Sequence, residues 1–139
     1  MKTVNGATNN RCGRFIFVAA FSLIALGVML RFTGLNFDRG CHLHPDERFL
    51  TMVVTSIEWP ESVAEYFSTE TSPLNPVNKG HSFYVYGDLP VFAAKAIAQI
   101  TGTDTYDGFT NTGRILSALA DSATIALTFL IGSLLFGYV

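Results

Sequence analysis

Two stretches of this chain carry almost no polar positions, and the residues from 31 to 114 between them alternate helical apolar stripes with turn-rich polar runs. The first stretch, Phe15 to Leu30 (FIFVAAFSLIALGVML), has 16 uncharged residues bracketed by Arg14 and Arg31. At about 1.5 Å per residue it covers roughly 24 Å, less than a bilayer core of roughly 30 Å, so the flanking arginines are expected to snorkel. The second, Ile115 to Val139, has 25 residues with Asp121 as its one charge, enough to cross a bilayer with tilt. The pattern predicts an all-α membrane protein with two transmembrane helices, over 15–32 and 114–139, a cytoplasmic tail over 1–14 and a long extracytoplasmic loop over 33–113.

A structureless loop of that length is uncommon, so the loop should hold juxtamembrane helices. One is expected to open at His44-Pro45, because proline suits the first helical turn, where its missing N–H costs nothing. Asp46 and Glu47 then fall in that turn. Phe49, Met52, Val53 and Ile57 follow at helical spacing as a stripe to lie against the membrane or a neighbouring span, and Trp59-Pro60 closes the helix. A second helix is signalled by Asp88-Leu89-Pro90, with Asp88 as N-cap and Leu89, Phe92, Ala93, Ala96, Ile97 and Ile100 on one face before Gly102, an amphipathic helix suited to the interface. Between the two helices, Ser72-Pro73-Leu74-Asn75-Pro76 and Lys79-Gly80 read as turns, and Ser82-Phe83-Tyr84-Val85-Tyr86 as an extended aromatic stretch.

Composition sharpens this picture. With 49% hydrophobic and 14% charged residues among 139, and a net charge of −2, the chain is poorer in charge than a soluble domain and has no basic patch suited to nucleic acid. Leu30-Arg31-Phe32-Thr33 offers no small-x-small cleavage pattern, so the first stretch reads as an uncleaved anchor and not a signal peptide. Lys2, Arg11 and Arg14 precede it with no acid among them, while ten of the eleven acids lie from Asp38 to Asp107. This asymmetry places the N-terminus in the cytoplasm and the loop outside. Cys12 and Cys41 then fall on opposite sides and cannot pair within one chain. The second stretch ends at Phe136-Gly137-Tyr138-Val139 without a polar flank, which gives the expectation that the remainder of a multi-span chain follows.

The candidate chemistry sits in His44-Pro45-Asp46-Glu47-Arg48-Phe49, two adjacent carboxylates close behind the first apolar stretch. The plain account of Asp46 and Glu47 is complementarity with the helix dipole, worth about 0.3–1 kcal/mol in a first turn. The functional account is a carboxylate kept ionised by the helix N-terminus and able to take a proton from a hydroxyl nucleophile. Both descriptions fit one residue. His42 and His44 beside the acids permit a divalent metal site without diagnosing one; no metal or other cofactor is assigned. Arg48 is a phosphate ligand or a salt-bridge partner. Tyr84, Tyr86 and Phe83 line a sugar or lipid path or form an aromatic belt. Asp121, inside a span, is best read as a hydrogen-bonding partner of another helix.

Four blocks in order carry a resemblance: HPDERF, then SPLNPVNKG, then YVYGDLPVFAAKAIA, and last YDG followed by GRILSALADSATIALTFLIGSLLFG. Together they resemble the N-terminal portion of bacterial polyprenyl-phosphate-dependent glycosyltransferases, membrane enzymes of the GT-C fold related to protein O-mannosyltransferases in glycosyltransferase family 39. The resemblance runs from Leu30 to Gly137. It implies an inverting sugar transferase of the bacterial plasma membrane, with an extracytoplasmic active site and a lipid-linked sugar donor. It also implies that an acid of the first external loop, here Asp46, is the base, with Glu47 supporting it or orienting the acceptor. Arg48, His44 and Tyr86 are the expected substrate-binding residues, and a fragment of this size is expected to be inactive alone. The partners expected are the donor, membrane lipids and the rest of the chain, with no nucleic acid. Two competing readings are a non-enzymatic two-span module whose His/Asp/Glu loop binds a metal or a partner protein, and a transporter fragment built around Asp121.

Overall fold

The computed structural model describes residues 5–137, with side chains from residue 13 on; Lys2 and the side chains of Arg11 and Cys12, which belong to the expected cytoplasmic tail, lie outside the described residues. Among those residues the chain is all-helical. Its helices are α1 (Asn5–Phe32), α2 (Pro45–Ser56), α3 (Val63–Phe67), α4 (Asp88–Ile100) and α5 (Tyr106–Phe136), with a 3₁₀ turn at Pro76–Lys79. Two helices are long and apolar enough to cross a membrane, α1 over Gly13–Phe32 and α5 over its whole length. The helix that carries the second apolar stretch therefore starts at Tyr106, before the expected 114. The Thr105 hydroxyl accepts from Gly108 N at 3.1 Å and so caps the new start. Gly108 is required there, since a Cβ would lie 1.8 Å from the Thr103 carbonyl oxygen.

The chain divides into two compact units, one made of residues up to Gly34 and from Ser117 on, the other of Leu35–Leu116. In the first, α1 and the later part of α5 are joined by an ion pair from Arg31 Nε to Asp121 Oδ2, and Arg31 Nη1 also donates to Gly27 O at 3.1 Å. Asp121 thus bonds across to another helix, in line with its sequence reading. Gly27 lets the helices approach: a Cβ on it would come within 3.0 Å of Ile125 Cδ1.

In the second unit, α2 forms where the sequence predicts. His44 caps it, Pro45 stands in the first turn, and Asp46 and Glu47 face the positive end of the helix dipole. The core gathers Val53, Val54 and Ile57 of α2, Leu74, Val91, Ala94 and Ala98 of α4, and Phe109 of α5. The apolar stripe of α2 is therefore turned inward onto α4 and the 3₁₀ turn, away from the placement expected against the membrane or a span. Val53 and Ile57 are fully buried, Phe49 packs on the core's edge and Met52 is 44% exposed. At about 100° per residue Met52 lies on the flank of the Val53–Val54–Ile57 face, which explains its exclusion.

Helix α4 departs further from expectation. Gly87 is its N-cap and Asp88 its first residue, and it buries Val91, Ala94, Lys95 and Ala98. These lie opposite the face formed by Leu89, Ala93, Ala96, Ile97 and Ile100. The expected extended run at 82–86 is instead irregular: Tyr84 N donates to His81 O at 3.1 Å, following the left-handed Gly80 (φ 89°). Helix α3 was not anticipated, although Ser62-x-x-Glu65 is a capping box. Glu65 N donates to Ser62 Oγ at 3.2 Å and Glu65 Oε2 accepts from Glu61 N at 2.7 Å.

Candidate functional site

The site is assembled around the N-terminus of α2 by a loop, 35–44, and by the first turns of α5. Arg114 holds the three together. Its Nε and Nη2 donate to Glu47 Oε1 and Oε2 at 2.5 and 2.7 Å, and its Nη1 and Nη2 donate to Asp38 Oδ1 and Oδ2 at 3.0 and 2.8 Å. The remaining Nη1 hydrogen reaches Leu35 O at 2.8 Å. All five guanidinium N–H groups are thereby used, in the two-forked geometry that arginine provides and lysine does not. The Phe37 ring lies against the guanidinium, 4.8 Å from its centroid.

Asp38 is the buried member of this group, with no exposed side-chain surface. Besides Arg114, it accepts from Gly40 N at 3.3 Å and Leu43 N at 3.2 Å. The hydrogen bonds from Arg114 hold its carboxyl far below the usual carboxylate range against the opposing effect of burial, and the two amides add to the lowering. This aspartate is what shapes the loop. Arg39 and His42 within it adopt left-handed backbone, φ 52° and 48°, a conformation that side-chain-bearing residues take only when their surroundings hold them there.

His42 is held on every side. Nε2 pairs with Asp107 Oδ1 at 2.7 Å, Nδ1 lies 3.3 Å from Thr110 Oγ1, and the ring meets Tyr106 edge-on at 4.7 Å. Thr110 in turn bonds Thr51 of α2 at 2.9 Å. Loop, α2 and α5 are thus joined by a second, parallel set of contacts.

The sequence-predicted residues separate into engaged and open ones. Glu47 is committed to Arg114. Asp46, one residue earlier, is exposed and belongs to none of the ion pairs among the described residues. Tyr86 faces Asp46: burial raises the phenol's pKa, and the hydrogen bond to the Asp46 carboxylate raises it further. Tyr86 is placed by neighbouring rings, Phe49 of α2 at 6.0 Å and Tyr84 at 6.1 Å. Tyr84 donates to Gly87 O at 2.9 Å, and burial with the Asp88 charge pushes its own pKa up to about 12. Phe49 also meets His81 edge-on at 5.7 Å, and His81 Nε2 pairs with Ser56 Oγ at 2.7 Å. His44 serves as the α2 cap, its Nδ1 accepting from Glu47 N at 3.4 Å. The Arg48 side chain is exposed, and its carbonyl accepts from Tyr106 at 3.4 Å.

His42 and His44, joined in sequence as a metal candidate, turn to different partners. Among the described residues no group of three or more His, Cys, Asp or Glu converges. Sequence reasoning missed Arg114, Asp38 and the pairing of His42 with Asp107. The one available signal was Arg114 itself, a lone cation at the head of an apolar stretch, read only as a boundary.

No protein-family model matches this chain, and neither does any curated protein or solved structure.

Proposed function

We propose that this chain is the N-terminal part of a membrane glycosyltransferase that moves a sugar from a polyprenyl-phosphate donor to an acceptor hydroxyl on the extracytoplasmic side of a bacterial plasma membrane. The observation that carries the reading is the split between two adjacent carboxylates: Glu47 is fixed by Arg114, and Asp46 stays exposed and unpaired beside Tyr86. The order of the four sequence blocks and the presence of two helices apolar enough to span a membrane support it.

In this reading Asp46 is the base. It takes the acceptor hydroxyl's proton as the oxygen attacks the anomeric carbon; the bond from that carbon to the phosphate oxygen breaks, and the lipid phosphate leaves with the electron pair. An inverting displacement of this kind needs one base and a stabilised leaving group, and no general acid for the phosphate. Glu47, held by Arg114, keeps the first turn of α2 in place, and Tyr86 orients the Asp46 carboxylate. Arg48 and His44 stand at the same helix end, where a cation and dipole-aligned N–H groups suit a phosphate. The rest of the donor cavity comes from further spans of the multi-span GT-C bundle.

The test uses the full-length protein in membranes with a radiolabelled polyprenyl-phosphate sugar. Asp46→Asn is expected to cut transfer by about 10²–10⁴-fold, the contribution typical of a general base, with unchanged expression and helical content. Undiminished transfer in that variant removes the base assignment. Binding of a metal or protein partner, abolished by replacing His42 and His44, would replace the enzyme reading with that of a binding module.

A further inference from the structure

Helix α4 is inverted relative to a helix that faces water. Its one cation, Lys95, is turned inward and only 6% exposed, with Nζ donating to Val54 O at 3.1 Å and lying 5.4 Å from the Phe109 ring centroid. Burial lowers the pKa of that ammonium, so the inward placement works against its charge. On the opposite face, Leu89 is 80% and Ile100 84% exposed, with Ile97 at 38%. Ala93 and Ala96 complete this face, and no charged residue lies on it. A helix surrounded by water would exchange these placements, because the long lysine stem readily carries its charge outward. The medium outside α4 is therefore apolar.

We propose that the face of α4 formed by Leu89, Ala93, Ala96, Ile97 and Ile100 lies in the outer leaflet of a phospholipid bilayer, with the helix axis along the surface. The proposal rests on the membrane reading given above and deepens it. Lipid is favoured as the occupant by three observations. The chain's own α1 and α5 are long and apolar enough to cross a membrane, and α5 runs without a break from the Leu35–Leu116 unit into its apolar stretch, so a bilayer lies within reach. The face offers no polar group by which a protein partner would be selected. At its border stands Trp59, whose ring lies 6.4 Å from Phe92 and whose Nε1 donates to Gln99 Oε1 at 2.6 Å, an amphipathic side chain of the kind that settles at headgroup level. Since α2 packs on the inner face of α4, such an anchor would also set the height of Asp46 above the acyl chains.

The experiment places nitroxide labels on Leu89→Cys, Ile97→Cys and Ile100→Cys, each in a Cys12→Ser/Cys41→Ser background, in the full chain reconstituted into phosphatidylcholine vesicles. Collision with oxygen, which concentrates among acyl chains, is compared with collision with a water-soluble nickel chelate. A label on Phe21→Cys in α1 is the control. Oxygen is expected to dominate severalfold at all three α4 positions and at Phe21→Cys. Nickel dominating on α4 while oxygen dominates at Phe21→Cys overturns the proposal and leaves the membrane reading standing; nickel dominating at both overturns both. Low collision with either reagent on α4 means a protein cover, from a second copy or another partner, and also overturns it. The wild-type chain gives an independent readout, because Trp59 is its sole tryptophan: lipids brominated near the headgroup end of their acyl chains are expected to quench its fluorescence, and unquenched emission counts against the anchor.

Discussion

The carboxylates of this site differ through their partners. Asp38 and Glu47 share one arginine, and Asp46 has a phenol. Each arrangement makes a distinct prediction. Because the Asp46 charge adds to the rise in the pKa of Tyr86, Asp46→Asn should move that phenol back toward its ordinary value of about 10, read by NMR titration of ¹³C-tyrosine. A Tyr86 resonance that titrates unchanged in the variant would separate the two groups and leave Asp46 without an orienting partner. Asp38 behaves in the opposite sense. Its folded pKa is depressed below the unfolded carboxylate value of about 3.9, so its contribution to stability is fully present above that value and is lost progressively as the pH falls toward the folded pKa. Arg114→Met removes the cause of the depression. Acid unfolding followed by circular dichroism should then show a flatter loss of stability below about pH 4 and a less stable protein at neutral pH. If wild type and variant unfold with the same acid profile, the Arg114 group does not hold the loop.

Among the elements, α2 and α4 show what a periodic pattern reveals and what it leaves open. The start of α2 was legible because His44-Pro45-Asp46-Glu47 carries a cap, a first-turn proline and first-turn acids, all of them local signals. Its burial was less so. Phe49, Met52, Val53 and Ile57 are all apolar, and only the position of α4 and the 3₁₀ turn decides that Met52 stays outside. The corresponding prediction is a contrast: Ile57→Ala should cost about 2–5 kcal/mol as a cavity in a closed core, and Met52→Ala within about 0.5 kcal/mol of nothing, by denaturant unfolding of the same preparation. Equal losses would mean that the stripe packs as the sequence pattern suggested. In α4 both faces are apolar enough to be buried, so the sequence pointed to the richer one, while the structure packs the face that holds Lys95. Hydropathy does not see that a buried carbonyl, Val54 O, awaits this ammonium from another helix. The Arg114 group is hidden for a similar reason, since its members come from positions 35, 38, 47 and 114, and no local spacing joins them.

At the scale of the whole molecule, the proposed reaction requires the Leu35–Leu116 unit to lie outside the membrane, and charge decides this. Six of the nine lysines and arginines fall between the two apolar stretches, which at first sight favours a cytoplasmic loop. The count that matters is the one over short flanking segments, because loops longer than about 60 residues translocate largely regardless of charge. By that rule Lys2, Arg11 and Arg14, ahead of α1 with no intervening acid, hold the N-terminus inside. Several loop cations are also neutralised where they stand: Arg114 by Asp38 and Glu47, and Lys79 by Glu58 at 2.7 Å. Two exposed positions of the unit report on its side of the membrane, the free Cys41 and Ser82 replaced by cysteine in a Cys41→Ser background. In intact cells both thiols should react with a membrane-impermeant maleimide. Protection of both until the cells are permeabilised would put Asp46 on the cytoplasmic face, out of reach of an extracytoplasmic acceptor, and the proposed direction of transfer would fail with it.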